Sequence, residues 1–165
     1  MKTSAKRMAM CAMTAALCVV LMVLGAVLEL GMYACPLLAG LCLIPIGKRF
    51  GRKYHITAFV ATSILCLLIV PNMEENLMFL GLLGWYPMVA PGLRKLPWLI
   101  SWAVKLILFN AVVIAIEWLV MHVLAPEVMG QVFLLVLLAL GNVTFILYDW
   151  MLPKLEHMLD RIFPK

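Results

Sequence analysis

Residues 97–124 read PWLISWAVKLILFNAVVIAIEWLVMHVL, an apolar run that carries one lysine, Lys105, and one acid, Glu117. A helix needs roughly 20 apolar residues to cross the ~30 Å hydrocarbon core of a bilayer. This segment has length to spare and room to tilt or project. Its two charges sit where lipid offers no partner, so the run sets both the fold class and the places to look for function.

The rest of the chain has the same character. Of its 165 residues, 66% are apolar and 13% are charged, against ~45–50% and ~25% in an average soluble domain. Mean hydropathy is +1.10. A water-soluble globule of this size could not bury that much apolar surface. The composition therefore points to an all-α, polytopic integral membrane protein with a single transmembrane domain over residues 1–165. Lys2, Lys6 and Arg7 precede an apolar stretch in the manner of a signal peptide. That stretch continues to Leu28, beyond the ~7–15 residues of a signal h-region, and further spans follow it. It reads as an uncleaved first helix.

Six segments are long and apolar enough, or nearly so: 8–28, 32–46, 54–70, 77–89, 97–124 and 128–152. The second carries Pro36 and Pro45, and the fourth is short, glycine-rich and ends around Pro87 and Pro91. Pro153 is expected to break the sixth before an amphipathic tail, 154–163, that lies on the inner membrane surface. With the N-terminus inside, twelve of the thirteen basic residues fall in inside segments, and Glu74, Glu75 and Glu127 fall in outside turns. By the positive-inside rule this predicts six crossings of the cell membrane with both termini cytoplasmic. Trp85, Tyr86, Trp98, Trp102, Trp118, Tyr148 and Trp150 lie near predicted helix ends, as aromatic belts would.

The net charge of +5 comes from short clusters between apolar runs. That pattern suits loops facing anionic lipid rather than nucleic acid. Cys11, Cys18, Cys35, Cys42 and Cys66 show no metal or redox spacing and read as small buried thiols. The sequence contains no nucleophile elbow, HExxH motif, phosphate loop or paired acids. Neither an enzyme nor a cofactor is expected.

Lys105 is the basic residue left inside a span, and Glu29, Glu117 and Asp149 are acids in the same position. On insertion scales a charge there costs ~2.5–3.5 kcal/mol, which makes each a functional hypothesis with a partner to be named. Depth along the helices pairs Lys105 with Asp149 in the inner leaflet, as an ion pair that locks two helices or one that handles a proton or substrate. Toward the outer side, Asn110 and Glu117 share a helix face seven residues apart, and Asn142 and Asp149 repeat the spacing. An outward-facing pocket lined by Glu29, Asn110, Glu117, Trp118 and Asn142 is the sharper reading. Interhelical bonding that only holds the bundle together is the other.

Along the first span, Ala5, Ala9, Ala12 and Ala16 recur at spacings of four, three and four. Such small-residue faces let helices approach closely, here either within the chain or against another protein. The basic N-terminus, this alanine-striped helix and six short-looped spans together resemble the substrate-binding S component of energy-coupling-factor transporters. Gly84-Trp85-Tyr86-Pro87, Lys105-Leu106-Ile107-Leu108-Phe109-Asn110 and Gly141-Asn142-Val143-Thr144-Phe145 with Tyr148-Asp149 are similar to segments of small S-component-like proteins.

The resemblance implies capture of a vitamin-type micronutrient near the outer face. It also implies docking through Ala9, Ala12 and Ala16 onto a coupling membrane protein, with ATP chemistry in partner ATPases. The connection around Leu30 and Gly31 is shorter than the loop that often lids the pocket in that family. Two readings from other classes stand beside it: a self-sufficient small secondary transporter, and a structural or regulatory membrane subunit.

Overall fold

The computed structural model describes residues 2–28, 33–124 and 131–162. They form seven α-helices: α1 (Lys2–Leu28), α2 (Ala34–Phe50), α3 (Arg52–Ile69), α4 (Met73–Met78), α5 (Tyr86–Leu93), α6 (Trp98–Leu119) and α7 (Gln131–Ile162). Five-residue π turns follow α4 (Phe79–Leu83) and α6 (Val120–Leu124), and the described residues include no strand. Four helical stretches are long and apolar enough to cross a membrane: Ser4–Leu28, Arg52–Ile69, Trp98–His122 and Leu135–Arg161. Only 22% to 33% of their most apolar windows is buried inside the bundle. Most of that apolar surface faces outward, as lipid would require.

The breaks between elements have local causes. Gly51 turns α2 into α3 at φ +94°, in the left-handed region that suits glycine, and its N–H closes onto the Gly47 carbonyl at 3.0 Å. Asn72 caps α4 by accepting the Glu75 N–H at 3.3 Å. In the first π turn, Gly84 N–H donates five residues back to Phe79 O at 2.8 Å. A side chain at Gly84 would run into the Phe59 ring.

α2 sits at the centre and divides the core in two. Ala39, Leu43 and Ile46 pack with Cys18 and Met22 of α1 and with Cys66 of α3. Ile44 joins the second cluster, where Tyr86, Phe109, Phe145, Tyr148 and Leu152 meet. Phe109 and Phe145 stack at 4.6 Å, and Tyr86 meets Phe145 edge-on at 5.0 Å. Tyr86 and Tyr148 are thus core residues rather than members of an interfacial belt. Trp98, Trp118 and Trp150 remain on the outside.

α7 also departs from expectation. The helix runs through Pro153 instead of breaking before a separate tail. Proline lacks the N–H that would bond the Asp149 carbonyl, a loss of about 3 kcal/mol in a helix interior. Burial on both sides of the proline offsets it. Leu152 is fully buried and Leu159 nearly so, each contributing about 1.5–3 kcal/mol. Lys48 of α2 bonds Asp160 at 2.8 Å, and Arg94, which follows α5, bonds Glu156 at 3.0 Å. The tail therefore packs on the end of the bundle.

These contacts define one basic end. The Arg7 guanidinium stands 5.8 Å from the Tyr54 ring, and Arg49 reaches Met10 Sδ at 3.8 Å. Lys48 and Arg94 bind the tail at the same end. At the far end, Tyr33 donates to Glu74 at 2.5 Å, and no described Lys or Arg joins them.

Candidate functional site

Two polar clusters interrupt the apolar bundle. In the first, Lys105 Nζ donates to Asp149 Oδ2 at 2.7 Å, and the Tyr86 hydroxyl donates to Asp149 Oδ1 at 2.6 Å. Lys105 and Asp149 are 3% and 5% exposed. α6, α7 and α5 each supply one member, so the cluster ties three helices together. The Trp102 ring lies 5.2 Å from the ammonium and covers one side of it. Tyr148, one residue before Asp149, reaches the Leu83 carbonyl at 3.4 Å. Both carboxylate oxygens are occupied and the charges balance. Chemically, the arrangement is a neutral, hydrogen-bonded lock.

The second cluster lies at the acidic end. Tyr33 holds Glu74, and Glu117 lies close by. Glu117 is 3% exposed, and its Oε2 has no partner among the described residues. Glu74 opens onto a cavity of about 410 Å³ that Ala26, Asn72, Met73 and Val120 also line.

Glu75 turns the other way, into the bundle. It is 1% exposed, neither carboxylate oxygen has a partner among the described residues, and Gly25 of α1 makes room for it. Beside it Asn76 donates to the Val70 carbonyl at 3.1 Å. Buried carboxylates are costly unless paired or protonated. This end of the molecule thus concentrates unmet acceptor capacity.

The residues expected to line a pocket are distributed differently. Asn110 and Asn142 meet each other, each amide donating to the other's oxygen at 2.9 Å, and line neither the acidic-end cavity nor a smaller apolar one near Phe109. Trp118 is 59% exposed and stacks on His122 at 4.8 Å, facing away from the bundle while Glu117, one residue back, faces in. Glu29 lies outside the described residues, as does the connection around Leu30 and Gly31. Among the expected residues that the structure describes, only Glu117 belongs to the acidic cluster.

Tyr33, Glu74 and Glu75 were not among the expected site residues. The signal available was Asn72-x-x-Glu75, a helix-start pattern that puts Glu75 in a first turn rather than a solvated loop.

α1 presents two faces. Cys11, Ala15, Cys18 and Met22 are buried against α2 and α3, whereas Ala5, Ala9, Ala12 and Ala16 are exposed along the opposite side. All five cysteines are free thiols, and no metal-holding group of His, Cys, Asp and Glu occurs among the described residues. Compared with known proteins, the chain matches no family model, no curated protein and no solved structure.

Proposed function

We propose that the chain is a transport subunit of the S-component type, crossing the cell membrane six times with its basic end and both termini in the cytoplasm. It captures a small micronutrient at the acidic end and docks on a separate coupling membrane protein driven by ATPases. The observation that carries this reading is the outward alanine face of α1, a small-residue surface left uncovered while the helix's other face is buried. Such faces allow a second membrane helix to approach closely.

Six crossings are supported by the meeting of chain ends. α1 and α3 start at the basic end, and α2, α5 and α7 finish there. Tyr33 and Glu74, at the starts of α2 and α4, meet at the other. Capture at the acidic end is supported by the open cavity beside Glu74 and by the unpartnered oxygen of Glu117.

The test is purification of the tagged chain from its native membrane in mild detergent, with and without Ala12→Leu. Recovery of a polytopic membrane protein and ATPases with the parent chain, and their loss with the variant, is the expected result. Identical partners from both overturn the docking face. The buried Lys105–Asp149 pair favours a second reading, a self-sufficient secondary transporter. That reading requires gradient-driven flux in liposomes holding this chain alone.

A further inference from the structure

Glu75 combines deep burial, missing partners and a place made for it. The residue is 1% exposed, and both carboxyl oxygens are without a hydrogen-bond partner among the described residues. It fits against α1 at Gly25, where even a methyl group would collide with Oε1. Cys35 of α2 adjoins the same notch, and Cys66 of α3 is near enough to feel the carboxyl's charge. Both are free thiols, and the described ion pairs of Lys48, Arg94 and Lys105 engage other acids. Among the described residues, no positive group balances Glu75. Asn76, its neighbour, donates to the Val70 carbonyl while its own Oδ1 is unmet. The unmet atoms of both residues are acceptors, so whatever satisfies them brings a hydrogen or a positive charge.

A bare carboxylate in this setting costs far more than a neutral carboxyl, because removal from water penalises the charge and no partner compensates it. That burial pushes the Glu75 carboxyl up to about 7. A metal ion would need room for several ligands, and Glu75 lines neither the acidic-end cavity nor the apolar one. A proton adds almost no volume. We propose that Glu75 is a proton-binding site, whose neutral carboxyl fills the Gly25 notch and seats α4 on α1. On release the carboxyl O–H bond breaks, its electron pair stays on the oxygen, and water takes the proton. That water is near: Asn72, Met73 and Glu74, just before Glu75, line the open cavity at the acidic end, as does Ala26, next to Gly25. Tyr33, Glu74 and Glu117 are the other titratable groups of this end, and none supplies a positive charge. The inference goes beyond the transport reading, since this carboxyl is buried whatever substrate or partner the chain has.

The experiment uses the full chain in lipid nanodiscs and reads protonated carboxyls directly, by infrared difference spectroscopy between about pH 5 and about pH 9. We expect the carbonyl stretch of a protonated carboxyl to vanish as pH rises, with its midpoint at about 7. Glu75→Gln keeps the shape of the neutral group and should remove that component, whereas Glu117→Gln should leave it in place. A parent spectrum with no such titrating component overturns the proposal, as does a component that Glu75→Gln leaves intact. Unfolding in detergent gives a second reading. A carboxyl raised on folding favours the folded state while protonated, and the advantage fades as pH rises through its folded value. Between about pH 5 and about pH 8 the unfolding constant of the parent should therefore rise roughly tenfold more than that of Glu75→Gln. Parallel curves for the two chains overturn the seating of α4 by the proton. If Glu75→Gln is not monodisperse, Glu75→Asp serves as the second variant. It keeps an acid but withdraws it from the notch by one methylene, so the component should shift in frequency or midpoint, and a spectrum identical to the parent's overturns the proposal.

Discussion

Asn110 of α6 and Asn142 of α7 pair reciprocally across the helix interface, with every side-chain N–H donor of both amides engaged. Each amide donates to the other's oxygen at 2.9 Å and also to the carbonyl four residues back in its own helix, Leu106 for one and Leu138 for the other. A pair so closed on itself has no side-chain donor left for a ligand. Its role is to register two helices that lipid would otherwise let slide. Interhelical bonds of this kind average about 0.6 kcal/mol and reach about 1.7. Asn110→Ala and Asn142→Ala should therefore show a coupling energy in that range in a double-mutant cycle of detergent unfolding. Strictly additive losses would remove the pair as a stabilising contact.

The Lys105–Asp149–Tyr86 cluster should be far less forgiving. Asp149→Asn leaves an ammonium that is 3% exposed without its counter-charge, and breaking such a buried pair costs about 3–5 kcal/mol. Replacing both charges, as Lys105→Met with Asp149→Leu, should recover most of that loss. Tyr86→Phe removes one hydrogen bond to a charged group, about 1.5–3 kcal/mol. The order of unfolding midpoints is then parent, double variant, Asp149→Asn. A double variant no better than Asp149→Asn would show that the pair is not the source of the loss.

Gly25 and Glu75 form a steric couple between α1 and α4. A methyl group at position 25 would collide with Glu75 Oε1 and Cys35 Cβ, so Gly25→Ala should destabilise by about 1–3 kcal/mol through overpacking. Combining it with Glu75→Ala clears the carboxylate from the same space. The double variant should be more stable than Gly25→Ala, and equal or lower stability would place the strain at Cys35 instead.

The tail contact Lys48–Asp160 is made by side chains 30% and 56% exposed. Solvent screening limits such a pair to about 0–1 kcal/mol. Its coupling energy, from single and double alanine variants, should fall toward zero between low salt and 1 M, where the screening length is about 3 Å. A value that ignores salt would mean that the tail is held by Leu159 packing rather than by charge.

The sequence makes the apolar helices legible because length and apolar composition sufficient to cross a membrane leave a mark that no local detail can hide. The depths of Lys105 and Asp149 are legible too, since both are counted from the ends of unbroken runs, and the structure holds them at 2.7 Å. What composition does not reveal is how a short segment folds back. Glu74 and Glu75 read as a solvated turn between spans, yet α4 carries Glu75 into the bundle, where it is 1% exposed. Trp118 and Glu117 are neighbours in sequence and point to opposite sides, a distinction set by helix rotation against α4 and α7 rather than by residue type. Pro153 reads as a stop because local propensity says so. Packing of Leu152 and Leu159 overrides it.

α6 and α7 follow each other in the chain, and each carries one half of the Lys105–Asp149 pair. During synthesis the lysine-bearing helix is made first and must wait for its partner. Each charge alone disfavours insertion by ~2.5–3.5 kcal/mol, so the two helices gain by leaving the translocon together as a hairpin. Ribosomes arrested before residue 149 would then hold α6 in a state still extractable by alkali. Chains long enough to expose Asp149 would release it into the bilayer. The lock that ties the finished bundle is, on this argument, also the step that commits α6 and α7 to the membrane.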